Sequence, residues 1–167
     1  MVTLVLAPAL ELNLCLAQDS LNVVKLNTME LPTSQVVIDG DLLYATDDSL
    51  LSIVDIGDPQ QPGLIGSYRF NLSIRDMALN EAFGYFVMAD DSTLKILDLS
   101  SPDAPESAGQ FTISGVNRIC TEDGILFAGA GLDSLISYTL HNPAEPVEIS
   151  SIYVQYLLSV WVQGGYV

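Results

Sequence analysis

A proline-bearing phrase occurs three times at nearly constant spacing, and no other feature restricts the fold so tightly. It reads Ile53-Val-Asp-Ile-Gly-Asp-Pro-Gln-Gln-Pro62, then Ile96-Leu-Asp-Leu-Ser-Ser-Pro-Asp-Ala-Pro105, then Ser137-Tyr-Thr-Leu-His-Asn-Pro-Ala-Glu-Pro146. The first prolines, Pro59, Pro102 and Pro143, lie 43 and 41 residues apart, and the second prolines keep the same spacing. Further columns follow in step: Ile56, Leu99 and Leu140; Ile65, Ala108 and Ile149; Tyr68, Phe111 and Ile152. A fixed period of this size is the mark of a repeat architecture.

The residues of one period spell short strands and tight turns. Leu50 to Ile56 and Leu94 to Leu99 are rich in aliphatic and β-branched residues and short enough for strands. Each such strand runs into Asp58, Ser101 or Asn142, whose side chain can bond the backbone two residues on, and the following proline presets a turn. A second proline then holds the connection extended. Recurrence at one phase favours this turn reading of Pro-x-x-Pro over a ligand for an aromatic groove. Upstream in each period lies another hairpin, turning at Asp39-Gly40-Asp41, Asn80-Glu81 and Glu122-Asp123-Gly124. One period therefore holds four short strands, A to D in chain order, and no amphipathic helix. That content and length predict an all-β fold, a β-propeller of four-stranded antiparallel blades.

The phrase Leu51-Ser-Ile-Val-Asp55, followed by Asp58-Pro59 and Pro62, resembles the LVIVD repeat. Leu94-Lys-Ile-Leu-Asp98 is similar to it as well, and Leu135-Ile-Ser-Tyr-Thr139 departs from it at the last position. The resemblance covers residues 34–167. It implies a β-propeller that is exported or surface-attached, and it brings no catalytic motif.

Strand counting divides the chain into blade 1 at 34–70, blade 2 at 71–113 and blade 3 at 114–154, with 155–167 starting a fourth. Trp161 is placed in the column of Val36, Met77 and Cys120, and Gly165 in the turn column. Residues 18–33 read as a linker and a D-type strand that closes a last blade, with Val24 in the column of Ile65 and Met29 in that of Phe70. Three blades leave an incomplete ring, so the chain is expected to be the N-terminal part of a longer protein. A ring assembled from several short chains is the alternative.

Residues 1–17 read as a secretory signal peptide, because an apolar run from Val2 to Ala17 precedes polar Gln18-Asp19-Ser20. Glu11 and the lack of an early basic residue count against that, and a buried strand or helix is the other reading. The run is too interrupted for a transmembrane span. Leu14 is too large for the residue before a lipid-bearing Cys15.

Composition removes several function classes. Five Lys plus Arg against 21 Asp plus Glu give a net charge of -16. Such a surface repels nucleic acid and anionic lipid. Two cysteines cannot make a disulfide scaffold, and Cys120 reads as a core thiol. One histidine, His141 in a proline turn, has no nucleophile beside it.

Two clusters remain as candidates. Arg75 and Arg118 are read as one column at the start of strand A, either an anion or acidic-group site at the channel mouth or a brace between blades. Asp47, Asp48, Asp90 and Asp91 sit in recurrent turns, either solvated or cradling calcium. The expected function is a non-enzymatic, secreted or cell-surface module for protein–protein or surface interaction, with no cofactor unless calcium. The alternative is a propeller of an enzyme or ligand-binding protein that uses its channel.

Overall fold

The computed structural model describes residues 2–5, 11–18 and 22–162 apart from 91, 132, 156 and 158, with side chains from residue 27 onward. Every regular element among them is a strand. The strands are β1 (Val2–Val5), β2 (Glu11–Gln18), β3 (Asn22–Glu30), β4 (Gln35–Asp39), β5 (Leu42–Asp47), β6 (Leu50–Asp55), β7 (Gly63–Arg69), β8 (Ile74–Asn80), β9 (Phe83–Met88), β10 (Thr93–Asp98), β11 (Glu106–Thr112), β12 (Val116–Glu122), β13 (Ile125–Ala130), β14 (Ser134–Thr139) and β15 (Val147–Tyr153). They form three antiparallel four-stranded sheets, β4-β5-β6-β7, β8-β9-β10-β11 and β12-β13-β14-β15, and a three-stranded sheet β1-β2-β3. The first three are blades 1, 2 and 3 of a β-propeller whose ring is not closed.

Successive side chains on a strand point to opposite faces. A blade buried on both faces must therefore read as a continuous apolar run. Blade 1 shows this at Leu43, Tyr44 and Ala45, all buried. Leu43, Ala45 and Val54 face Met29 and Leu31 at the end of the N-terminal sheet. Tyr44, Leu51, Ile53 and Phe70 face Met77, Phe86, Met88 and Leu97 of blade 2. The opposite face of blade 2, with Tyr85, Val87, Leu94 and Ile96, packs on Leu126, Ala128 and Tyr138 of blade 3. Rings meet across both joints, Phe70 with Phe86 at 4.9 Å and Phe111 with Tyr138 at 5.4 Å. Each fully buried large side chain contributes about 1.5–3 kcal/mol, so the core lies in the seams between blades. Strand A of each blade is innermost: β8 touches both β4 and β12.

The proline phrases are turns. Gln61 N–H bonds Asp58 O at 2.9 Å, Ala104 N–H bonds Ser101 O at 2.9 Å, and Glu145 N–H bonds Asn142 O at 3.0 Å. Asp58 and Asn142 also accept from the backbone two residues on, at 2.9 and 3.3 Å. Each turn of the following blade is seated on a residue of the preceding strand D. A Cβ on Gly66 would stand 1.9 Å from Pro102 O, and one on Gly109 would stand 3.1 Å from Ala144 O. Ser150 holds the same register position in blade 3.

Strand D carries a bulge at one place in every sheet. The register slips between Ile53 and Val54, between Ile96 and Leu97, and between Ser137 and Tyr138. The N-terminal sheet repeats it between Leu14 and Cys15. By this register β1, β2 and β3 are strands B, C and D. Leu26, not Val24, holds the bulge position of Ile65, Asn27 follows it as Gly66 does, and Met29 aligns with Tyr68 rather than Phe70. The Asn27 amide donates to Gln60 O at 2.6 Å, in the proline turn of blade 1.

Candidate functional site

The inner strands collect the polar side chains at the two joints between blades. Two of these strands bulge near their starts, β8 at Arg75 and β12 at Asn117. Arg75 and Arg118 therefore do not share a position. Arg75 aligns with Asn117, and Arg118 aligns with Asp76 and Gln35. The same register puts Ile119, not Cys120, level with Val36 and Met77.

Asp76 is the hub. It is buried, with Oδ2 accepting from Ile119 N–H at 2.8 Å and Oδ1 from its neighbour Met77 N–H at 3.1 Å. Gln35 Nε2 of blade 1 donates to Asp76 Oδ1 at 2.8 Å and to Met77 O at 3.2 Å. One carboxylate thus ties three blades. Burial raises its pKa, while the bonds from Ile119, Gln35 and Met77 and the charge of Arg118 pull the other way. A buried carboxylate held by so many donors is a brace.

Arg75 Nη1 donates to Asn117 Oδ1 at 2.9 Å, across the joint of blades 2 and 3, and Nη2 to Ala89 O at 3.4 Å. The Asn117 amide in turn donates to Gly115 O and Gly131 O at 3.0 and 3.2 Å. Arg118 is exposed, and its Nη1 donates to Asn117 O at 2.8 Å. Thr121 donates its hydroxyl to Leu79 O, and Tyr85 donates to Pro143 O at 3.0 Å. Cys120 lies half-buried among these groups, its thiol pushed up to about 11 by burial and then by the charges of Asp76 and Glu122. Gln35, Asn117 and Gly66 escape sequence reading, because a polar or small residue on an inner or outer strand shows no period of its own.

The carboxylates of the acidic turns are held by separate partners. Asp48 is in the left-handed region, with φ 45°, and accepts from the Ser73 hydroxyl. Asp90 accepts from Ser92 N–H at 3.2 Å, Thr93 N–H at 2.9 Å and the Thr93 hydroxyl at 2.6 Å, which hold its pKa below the ordinary range. Asp47 ends β5, and Asp91 lies outside the described residues. Among the described residues no three His, Cys, Asp or Glu side chains converge as a metal site, and no helix is long and apolar enough to cross a membrane.

A protein-family model, the LVIVD repeat, matches residues 32–69. The match coincides with blade 1. Blades 2 and 3 share the strand order and the bulge of blade 1. Two solved structures share the fold. The N-terminal domain of Nup159 is 14% identical, with TM-score 0.59 over 83% of this chain and 35% of that chain. A chain in an S. cerevisiae assembly of a dbp5 variant with nup159, a gle1 variant, ip6 and adp gives the same values. The chain thus spans about a third of the length of these propeller chains. No curated protein matches it.

Proposed function

We propose that the chain is an interaction module, a rigid arc of blades that binds another protein through its outer rim and does no chemistry of its own. One contrast carries this reading. The polar side chains of the inner strands bond one another across the blade joints, whereas large apolar side chains stand exposed on the outer strands. Leu64 and Ile65 on β7, and Val147, Ile149 and Tyr153 on β15, are open to solvent, Tyr153 at 74%. Exposed apolar groups on a rigid scaffold mark contact surfaces, and the outermost strand of each blade offers a backbone edge beside them.

Photo-crosslinking in the source cells tests this. A crosslinking residue placed at Leu64 or Tyr153 is expected to capture one discrete protein. Capture at Arg118 and never at the rim would overturn the reading in favour of the channel. Residues 2–17 carry two incompatible readings, an export leader or strands of a sheet. The intact mass of the protein purified from its source decides between them.

A further inference from the structure

We infer that the outer edge of blade 1 takes up an extended segment of a partner protein, one that carries apolar residues beside Lys or Arg and adds to β7 as a fifth strand. This rests on the rim reading above and names the element and the partner chemistry.

β7 lies within the chain, preceded by the rest of blade 1 and followed by blade 2. Strand A is innermost, so strand D faces away from the ring axis, and further blades of a ring do not reach its edge. The ladder shows which groups that edge offers. Phe70 N–H bonds Ser49 O at 2.8 Å, and the pairing continues as Tyr68 with Leu51 and Gly66 with Ile53. Bonded pairs alternate with unbonded ones along an antiparallel ladder. Phe70, Tyr68 and Gly66 therefore turn their backbone groups towards β6, and Ser67 and Arg69 turn theirs outward. Both residues are exposed. An outward row of N–H and C=O groups is a template for a further strand.

Blades 2 and 3 supply an internal comparison. Leu64 pairs with Val54 as Ser107 pairs with Leu97 and Glu148 with Tyr138, so the three share one register position. All three are exposed. Blades 2 and 3 place a polar side chain at this solvent position, and blade 1 places a leucine there that is 55% open. Ile65, beside it in the bulge, is open as well. The blade does not need an apolar group at that place, since Ser107 fills it in blade 2. An apolar side chain of an incoming strand covers Leu64 and removes its exposed area from water.

The charge around the patch narrows the occupant. Asp55 ends β6 opposite Gly63, Asp58 opens the turn that leads into β7, and Asp103 Cα lies 3.1 Å from where Gly66 would carry a Cβ. All three acids are exposed. In a chain of net charge -16, a segment bearing Lys or Arg is drawn to this edge and an acidic one is repelled.

Panning a random peptide library on the immobilised chain tests the inference. Peptides with alternate apolar residues and at least one Lys or Arg are expected to be enriched. Ser67→Pro removes an outward N–H while leaving the ladder to β6 and the net charge as they are, and it is expected to weaken the enriched peptides about tenfold. Pro at Gln110, the matching position of blade 2, is expected to leave them unaffected. N-methylation of alternate peptide amides reads the same bonds without touching the protein: one methylation frame is expected to abolish binding and the other to spare it. Unchanged affinity for a folded Ser67→Pro chain overturns the inference, as does tolerance of both methylation frames or a library that yields no peptide. In each of these cases a protein crosslinked at Leu64 or Tyr153 would still uphold the rim reading, which falls only if that capture fails.

Discussion

Asp76 shows how a single residue can set the pH behaviour of a repeat fold. Burial raises its pKa, so the folded chain holds this proton more tightly than the unfolded one. Its contribution to stability is then largest when it is protonated. That contribution falls as pH rises from the ordinary carboxylate value through the raised one. Asp76→Asn removes the titration. Native stability is expected to decline relative to Asp76→Asn as pH climbs through that window, and thermal unfolding of both chains across the acidic range reads it. A native curve parallel to that of the variant would contradict the assignment. Cys120 gives a second residue-level expectation. A thiol pushed up to about 11 is roughly a thousandth ionised at pH 8, and only the thiolate reacts. In a Cys15→Ser chain, iodoacetamide is expected to label Cys120 orders of magnitude more slowly before denaturation than after it.

At the level of elements, the glycine under each proline turn decides how closely two blades approach. Ala at Gly66 would drive its Cβ into the carbonyl of Pro102, a backbone atom that cannot rotate away. The cost is expected to reach about 3 kcal/mol, the upper end for overpacking a joint. Ala at Gly109 meets Ala144 O at 3.1 Å, so a small shift relieves it and under about 1 kcal/mol is expected. Urea unfolding of the two variants should rank them in that order. The proline turns were legible in the sequence, because proline and its preceding Asp, Ser or Asn act locally. The alignment of the inner strands was not. A bulge at Arg75 and at Asn117 adds a residue that no spacing announces, and it made two arginines look like one column. The N-terminal sheet was hidden for another reason. Leu12-Asn-Leu-Cys-Leu16 lacks the closing Asp and the proline turn, and its apolar run resembles a leader. The pairing register gives it the place of strand C, and the leader reading is decided by the intact mass.

For the whole molecule, stability is a chain of joints between neighbours. Blade 2 keeps its far face dry only because blade 3 covers Val87, Leu94 and Ile96. A chain ending after Ile113 is expected to bind a hydrophobic dye and to unfold at a lower temperature than the full chain. An equal melting temperature would show that the joint between blades 2 and 3 contributes nothing. Salt acts at this scale too. With a net charge of -16, each blade repels the next, and screening relieves that repulsion.

The glycine beneath the proline turn also fixes an order. Blades 1 and 2 each carry a glycine where the proline turn of the next blade is seated, and blade 3 carries Ser150 at that register position. The units are therefore not interchangeable tiles. A gene rearrangement that moved blade 3 upstream would set a serine side chain under a proline turn where blades 1 and 2 have none. Each blade thus sets, at a single position, how closely a following turn can approach.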